Sequence, residues 1–339
     1  MRCLTRASKL LTLKKRLCYN NKFKGKLPMR HKIDVSRIKT IPLDGRKCKV
    51  AIKDFAKTAS KGESFREFYN SLPNILAASN LKKLVESVVK AKKANRPVIV
   101  MMGAHVIKCG LSPLIIDLMK RGVVRAVALN GAGIIHDTEI AMIGRTSEDV
   151  GEGILDGSFG MARETAEFIN GAINSGFGKA QGIGEAVGEK ISKKKLPHRN
   201  LSILASGYGL SIPVTVHVAI GTDIIHQHPS CNGEALGEGS LLDFRNFIYS
   251  VSTLEGGVVI NFGSAVVLPE VFLKAVTVAR NLGHTLDHFT AANFDMIAHY
   301  RPHQNILSRP TSKGGESYNI IGHHEIMIPL LYRAVVEAI

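Results

Sequence analysis

Short apolar runs that end in small polar turns recur along the central part of the chain. Residues 98–102 (VIVMM) and 123–129 (VVRAVAL) are rich in apolar and β-branched side chains, and so are residues 213–220 and 257–261. Strands that are buried on both faces show such near-continuous apolar runs, whereas strands with one exposed face show alternating apolar and polar residues. The pattern therefore predicts four central strands of a parallel sheet.

Helical patterns separate these runs. Between residues 71 and 93, apolar side chains recur at three- and four-residue spacing, with lysines on the opposite face. A Ser-Pro pair at residues 112–113 is typical of a helix start, and Gly122 ends that helix. Further helices are predicted at residues 158–173, 240–251 and 269–281. The glycine-spaced residues 171–188 are interpreted as a surface excursion, before order returns at residues 201–205.

This alternation of strand and helix predicts the fold class. A strand, a helix and a second strand within residues 98–129 have the length of a parallel crossover, which is right-handed. Repeated crossovers build an α/β protein, so we expect a Rossmann-like parallel sheet with helices on both faces.

Three of the predicted strands end in turns of small and polar residues. These turns are residues 130–133 (NGAG), 221–223 (GTD) and 263–264 (GS). The carboxyl ends of parallel strands share one edge of a sheet, where ligands bind, and glycine lets a ligand approach the backbone. Tight structural turns are the alternative, but their recurrence favours a ligand site. Neither GxxxxGK[ST] nor a GxGxxG after the first strand is present, so the common nucleotide signatures do not identify the ligand.

The net charge of +17 is concentrated at the amino terminus. Residues 1–28 carry nine lysines and arginines and no acidic residue, which leaves +8 for the rest of the chain. We interpret residues 1–28 as a basic, disordered extension, residues 29–64 as an N-terminal arm and residues 65–339 as a single Rossmann-type domain. The remaining lysine clusters are typical of solvated helix faces, so nucleic acid is not an expected partner.

Hydropathy and cysteine usage indicate the cellular compartment in which the protein is expected. No uninterrupted apolar stretch approaches the roughly 18 residues that span a bilayer, so no membrane partner is expected. The five cysteines are widely spaced and form no CxxC pair. Reduced thiols in a cytoplasmic protein are therefore expected.

The order of the turns and of the segments between them resembles the deoxyhypusine synthase family. The turn at residues 130–137 (NGAGIIHD) is similar to that family's Thr-Ala-Gly-Gly-Val-Glu-Glu-Asp, and residues 212–223 are similar to its Ile-Pro-Val strand with the Thr-Asp that follows. Residues 263–267 (GSAVV) resemble its Gly-Gly-Gly-Val-Val segment, and residues 326–331 resemble its closing helix. The resemblance spans roughly residues 65–339.

This resemblance implies NAD as the cofactor, bound at the strand ends of a homotetramer whose sites are shared between subunits. Enzymes of the family oxidise spermidine, form an imine on a lysine and transfer an aminobutyl group to a lysine of the translation factor 5A precursor. The implied cofactor-binding positions are His105, Lys108, Gly110, Asn130, Gly131, Ala132, Gly133, Asp137, Thr222, Asp223, Gly263 and Ser264.

The catalytic lysine of the family is a poor nucleophile until burial lowers its pKa. That lysine follows a Trp-Gly pair, whereas this chain has no tryptophan, and the nearest counterpart is Lys313. Lys313 is the candidate imine-forming residue, and a solvated loop lysine is the alternative interpretation.

Other departures from the family concern the substrate. Leu268-Pro269 replaces a Lys-His pair, and His136 replaces a glutamate. Where an acidic residue would hold a diamine, the chain has His226 and His228, which suit a dication badly. We therefore expect NAD-dependent dehydrogenation of a different small amine or hydroxyl substrate. The reaction could be coupled to transfer of a group to a protein lysine. His136 and His228 are the expected acid/base groups.

Two other classes of function stay open. A metal-dependent hydrolase or lyase could use the histidines, because His226 and His228, or residues 323–325 (HHE), could contribute ligands. Neither pair has the helical spacing of a HExxH site and no third ligand can be assigned, so no metal residue is predicted. A non-catalytic, homo-oligomeric assembly protein is the third class.

Overall fold

A computed structural model describes residues 33–339. Its centre is a six-stranded sheet with the strand order β3-β2-β1-β4-β5-β6, in which all neighbouring strands are parallel. The strands are β1 (Val98–Met102), β2 (Val124–Asn130), β3 (Val214–His217), β4 (Val258–Phe262), β5 (Thr290–Asp295) and β6 (Glu316–Ile321). The α/β fold class is confirmed, as are the four strands that the apolar runs predict.

Helices follow the strands on both faces of the sheet. They are α1 (Phe65–Ser71), α2 (Leu76–Lys93), α3 (His105–Lys108), α4 (Ser112–Lys120), α5 (Gly131–Ile143), α6 (Val150–Asp156), α7 (Arg163–Gly176), α8 (Ile183–Lys193), α9 (Ile203–Leu210), α10 (Gly233–Ser252), α11 (Val267–Asn281), α12 (Tyr300–Pro302) and α13 (His324–Ala338). A π-helical turn (His303–Ser308) continues α12, and short 3-10 turns include Arg199–Leu201 and Ile224–His226.

The two faces of the sheet bury separate apolar clusters. On one face, side chains such as Leu84 of α2 and Ile115 of α4 pack against β1, β2 and β4. On the other face, Phe247 of α10 and Phe272 of α11 pack against alternate residues of the same strands. Helices therefore cover both faces, as the fold class requires.

The strand order fixes where a ligand can bind. β1 pairs with β2 on one side and with β4 on the other, so the chain leaves β1 in opposite directions in the two halves of the sheet. The carboxyl ends of β1 and β4 form the switch point of such a sheet, and ligands bind in the crevice beside it.

One prediction about the middle of the chain is wrong. Residues 171–188 are not a surface excursion, because they contain the end of α7 and the start of α8. Ile183, Val187 and Ile191 of α8 are buried. The expected ordered segment at residues 201–205 is confirmed as the start of α9.

The described part of the chain divides into two units, residues 33–49 and 50–339. In the first unit, described residues 33–49 contain two 3-10 turns, Val35–Arg37 and Leu43–Gly45, and their side chains are exposed. The predicted basic extension at residues 1–28 lies outside the described part. Among residues 33–339, no helix is long and apolar enough to cross a membrane.

Candidate functional site

The loops that follow β1 and β4 meet at the carboxyl edge of the sheet. A Cβ added to Gly103 would lie 2.9 Å from the carbonyl oxygen of Gly263. The backbones therefore come closer than any larger residue at position 103 would allow. Gly263 has φ +67°, a conformation that disfavours other residues. The sequence thus builds a backbone-lined junction at the switch point.

His324, at the start of α13, lies against this junction. A Cβ on Gly263 would overlap its Nε2 atom, and its ring centroid is 6.0 Å from that of His105. The Nδ1 atom of His324 is buried and has no hydrogen-bond partner. Burial lowers the pKa of His324, so its imidazole is neutral near pH 7. The junction therefore contains a buried ring nitrogen without a hydrogen-bond partner.

A row of asparagines supports the junction from β4 to β6. Asn261, Asn293 and Asn319 are register partners on adjacent strands. The Nδ2 atom of Asn261 donates to Asn293 Oδ1 (2.7 Å) and to the Ser264 carbonyl (3.0 Å). Asn293 Nδ2 donates to Asn319 Oδ1 (3.0 Å). Because Ser264 Oγ accepts from the Leu268 amide at the start of α11 (3.3 Å), Ser264 has a structural role in this loop.

The second half of the site surrounds the start of α5, which begins directly after β2. Asn130 Oδ1 accepts from the Gly133 amide (3.0 Å) and caps the helix. A Cβ on Gly131 would overlap the carboxylate of Asp223, so only glycine lets that side chain reach the helix. The structure brings Asp223 to the turn formed by Asn130 and Gly131, from which it is distant in the chain.

Asp223 and His226 present two buried polar atoms without partners. The Oδ2 atom of Asp223 and the Nε2 atom of His226 lack hydrogen bonds, lie 3.9 Å apart and belong to side chains that are only 6% exposed. His226 Nδ1 accepts from the Gly221 amide (3.1 Å) and the Asp223 amide (3.3 Å), so Nδ1 is unprotonated. In the neutral ring the proton is then on Nε2. Burial lowers the pKa of His226 and raises that of Asp223 to about 6.

This pair therefore offers one donor and one acceptor side by side. At 3.9 Å the Nε2 and Oδ2 atoms are too far apart to bond each other. A hydroxyl at about 2.8 Å from both atoms would donate to Asp223 and accept from His226. We call this pair of atoms the hydroxyl slot; because both atoms are buried, a hydroxyl reaches them only when the surrounding side chains move aside.

Most of the predicted cofactor positions lie at or beside this edge. They are His105, Lys108, Gly110, Asn130, Gly131, Ala132, Gly133, Thr222, Asp223, Gly263 and Ser264. Thr222 is exposed, and its hydroxyl donates to the Ala219 carbonyl (2.7 Å). The two predicted acid/base histidines are partly buried nearby: His136 lies on α5, and His228 lies beyond β3 with Nδ1 2.8 Å from Ser230 Oγ.

Asp137 does not face the edge. Its carboxylate is fully buried and accepts hydrogen bonds from Ser202 Oγ (2.5 Å) and from the amides of Ile203 (2.7 Å) and Leu204 (3.3 Å). It therefore caps the start of α9, and this location corrects the prediction of a cofactor contact.

Lys313 lies at the opposite edge of the sheet. It precedes β6, so it lies at the amino ends of the parallel strands, with Nζ 3.5 Å from Asp287 Oδ1 just before β5. Its side chain is 61% exposed. A strand of six residues is about 20 Å long, so Lys313 cannot act at the carboxyl edge of the same subunit. Within one subunit this location argues against Lys313 as the imine-forming residue, and its assignment to a site shared with a neighbouring subunit stays a prediction.

The histidines do not assemble a metal centre in the described part of the chain. Within residues 33–339, no group of three or more His, Cys, Asp or Glu side chains has the arrangement needed to hold a metal ion. Sequence reasoning missed Gly103, Asn261, Asn293 and His324 as parts of the junction. The asparagines would be recognisable as a row only if β5 and β6 had been predicted.

Comparisons with known proteins concern the fold alone. No family model and no curated protein matches the sequence. Unliganded AgrE matches with a TM-score of 0.52 and 14% identity over 78% of this chain and 34% of AgrE. AgrE in a ternary complex with ornithine and NAD+ matches with a TM-score of 0.49 and 15% identity over the same shares of the two chains.

A putative deoxyhypusine synthase from Entamoeba histolytica matches with a TM-score of 0.48 and 12% identity, over 83% of this chain and 96% of the other. The chain spans about a third of the length of the AgrE chains. At these identities the likenesses concern the fold alone. The match to unliganded AgrE agrees with the α/β fold that the sequence predicts.

Proposed function

We propose that this chain is an NAD-dependent enzyme that dehydrogenates a small amine or hydroxyl substrate at the carboxyl edge of its sheet. The observation that carries the proposal is the hydroxyl slot between Asp223 and His226. Two buried, unpartnered polar atoms are costly to a protein unless a ligand or water satisfies them. A ribose hydroxyl of a dinucleotide has the donor and acceptor that the slot requires.

The surroundings of the slot fit the rest of such a cofactor. The slot adjoins the amino end of α5, where free amides and the helix dipole favour phosphate. The junction of Gly103 and Gly263 lies across the switch point, with His105 and His324 beside it. AgrE, which shares this fold in its unliganded structure, is also known in a ternary complex with ornithine and NAD+. When bound, the nicotinamide would supply the hydride acceptor.

We also propose a cytoplasmic homo-oligomer, a tetramer in the family that the sequence resembles, with a protein lysine as a further candidate acceptor. The support for assembly is a set of exposed apolar side chains on the loops and helix starts that follow β4, β5 and β6. These are Val266, Met296, Ile297, Tyr300 and Ile326, which are 46–70% exposed. Exposed apolar side chains grouped on neighbouring loops are typical of protein interfaces.

Asp223→Ala is expected to weaken NAD binding at least tenfold, because His226 would lose the carboxylate that completes the slot. Losing a hydrogen bond to a charged group costs roughly 1.5–3 kcal/mol, which is about a tenfold change or more. Isothermal titration with NAD measures the effect, and His226→Phe should act in the same direction. Asp287→Ala, at the opposite edge of the sheet, is the matched control and should leave affinity unchanged. Absence of NAD binding by the unaltered chain would refute the proposal and favour the non-catalytic assembly protein.

Lys313→Ala is expected to leave NAD affinity and imine trapping by borohydride unchanged within twofold, because Lys313 is remote from the carboxyl edge. Lys108→Ala, on the helix that follows β1, is the comparison variant and should weaken NAD binding. Loss of imine trapping only in the Lys313 variant would restore the transferase chemistry of the family to this chain.

A further inference from the structure

A chain of hydrogen bonds links a histidine, a threonine and a glutamate beside α5. His136 Nδ1 lies 2.6 Å from Thr146 Oγ1, and the Thr146 hydroxyl donates to Glu139 Oε2. The other carboxylate oxygen of Glu139 accepts from the Thr165 hydroxyl on α7 (3.1 Å). Both His136 and Glu139 are mostly buried, with side chains 17% and 16% exposed. The three groups therefore form an ordered relay rather than a solvated cluster.

The direction of these hydrogen bonds fixes the protonation of the ring. Thr146 has a single hydroxyl proton, which it donates to the carboxylate. Toward His136 the hydroxyl oxygen can then only accept, so Nδ1 of His136 must carry the proton. In the neutral ring Nε2 is the unprotonated nitrogen. No hydrogen bond within the described residues involves Nε2, so its lone pair is available to accept a proton.

The charges around His136 keep the ring neutral. Burial lowers its pKa to about 4, and Lys108 of α3 acts in the same direction, while Glu148 in the loop after α5 opposes them. His136 lies on α5, which begins directly after β2 and contacts α3, the helix that carries Lys108 and follows β1, so His136 lies near the carboxyl edge of the sheet. At neutral pH the ring is therefore poised to accept a proton rather than to donate one.

The other end of the relay opens to a cavity. A space of about 440 Å³ is lined by Glu139, Thr146 and Thr165, with Met142 and Ile143 among its apolar walls. His136 does not line it. The carboxylate end of the relay thus has its own outlet, separate from the strand ends.

We propose that His136, Thr146 and Glu139 carry the proton released during dehydrogenation from the carboxyl edge of the sheet to this cavity. The inference rests on the proposed function. Nε2 of His136 would accept the substrate O–H or N–H proton while the substrate C–H bond breaks and a C=O or C=N bond forms; a bound nicotinamide would supply the hydride acceptor. The Nδ1 proton then passes to the Thr146 oxygen, whose own proton passes to Glu139 and leaves through the cavity. His136 is the catalytic residue, and Thr146 and Glu139 are positioning residues.

The test begins with the tautomer of His136, measured by ¹⁵N NMR on the full chain without any ligand. The unaltered chain should show the Nδ1–H form from pH 6 to pH 8. Thr146→Val should convert most of the ring to the Nε2–H form, which is the form that a histidine side chain in water prefers, while Thr146→Ser should keep Nδ1–H. Thr165→Val removes only the other hydrogen bond to Glu139, so it is the matched control and should leave the His136 tautomer unchanged. An Nε2–H ring in the unaltered chain, or no change in Thr146→Val, overturns the relay.

A second measurement separates the relay from the proposed function. Diethyl pyrocarbonate acylates unprotonated imidazole nitrogen, and mass spectrometry reports its rate at His136. Saturating NAD should slow this rate at least tenfold if Nε2 faces the cofactor. If NAD binds with no protection of His136, the relay is overturned although the proposed function stands. If the titrations above show no NAD binding, the proposed function fails, and the relay, which rests on it, fails with it.

Discussion

Replacing Gly184 by alanine is expected to lower the free energy of unfolding by roughly 3 kcal/mol or more. Gly184 lies in the first turn of α8, where the helix crosses the edge strand β3. A Cβ at this position would overlap the carbonyl oxygen of Val214, and both groups belong to the backbone. Neither a side-chain rotation nor a small repacking can relieve the overlap, so the helix must move away from the strand. Urea denaturation followed by circular dichroism measures the loss.

Gly237 supplies the control for this variant. It is an exposed glycine inside α10, and a Cβ added to it would meet no atom within 4 Å. Gly237→Ala is therefore expected to stabilise the chain by up to about 1 kcal/mol, since alanine is the better helix former. The two substitutions are chemically identical and lie in helices, yet they should change stability in opposite directions. Equal effects would show that α8 does not approach β3 as closely as described.

The same contact explains why α8 could not be predicted. Glycines at residues 182, 184 and 188 are typical of a loop when only the sequence is considered. In the structure these glycines let the helix approach Asp243, Val214 and Leu204 respectively. The composition reflects close packing between a helix and its neighbours, which no local pattern reveals. The buried positions of α8 do recur with helical spacing, but the glycines between them conceal the periodicity.

Strand prediction succeeded where apolar and β-branched residues dominate a run and failed where polar residues or exposure interrupt it. β1 and β4 are buried along their full lengths and consist mostly of apolar residues, so their runs are evident. β5 is also fully buried, but Asn293 and Asp295 interrupt its apolar pattern. β6 is an edge strand whose first residues are exposed. The asparagine row satisfies the polar groups across strands, and such pairing is invisible until the register is known.

Missing β6 also explains the misplaced lysine. The functional meaning of a loop residue depends on whether it precedes or follows a parallel strand, because the two ends of the strand lie at opposite edges of the sheet. Lys313 precedes β6, whereas Asn130 and Asp223 follow β2 and β3. The latter two strands were predicted, so the convergence of their turns could be expected. The hydroxyl slot could not be predicted in this way. It depends on which ring nitrogen of His226 accepts hydrogen bonds from the backbone amides of residues 221 and 223.

Asp243→Ala is expected to destabilise the chain by about 2–4 kcal/mol, because it would leave two buried amides without an acceptor. Asp243 lies on α10 and is only 1% exposed. Its Oδ2 atom accepts from the Gly184 amide of α8 (2.9 Å) and from the Val216 amide of β3 (2.8 Å). The side chain therefore ties the start of α8 to the free edge of the sheet. Urea denaturation at pH 7 measures the loss.

Asp243→Asn separates these hydrogen bonds from the charge. Both bonds end on one oxygen, so the amide oxygen of asparagine can keep them and only the titration is lost.

Burial raises the pKa of Asp243 to about 7 from the ordinary value of 3.8. A raised pKa means that the folded state holds the proton more tightly, so this stabilisation is complete below pH 4 and is lost as pH rises toward 7. The unaltered chain should therefore lose stability relative to Asp243→Asn between pH 4 and pH 7. Burial raises the pKa of Asp137 and of Asp223 as well, to about 6, but both are present in the two proteins and cancel in the difference. A stability difference that does not change over this range would mean that Asp243 stays ionised inside the fold, held by the two amides and the helix dipole.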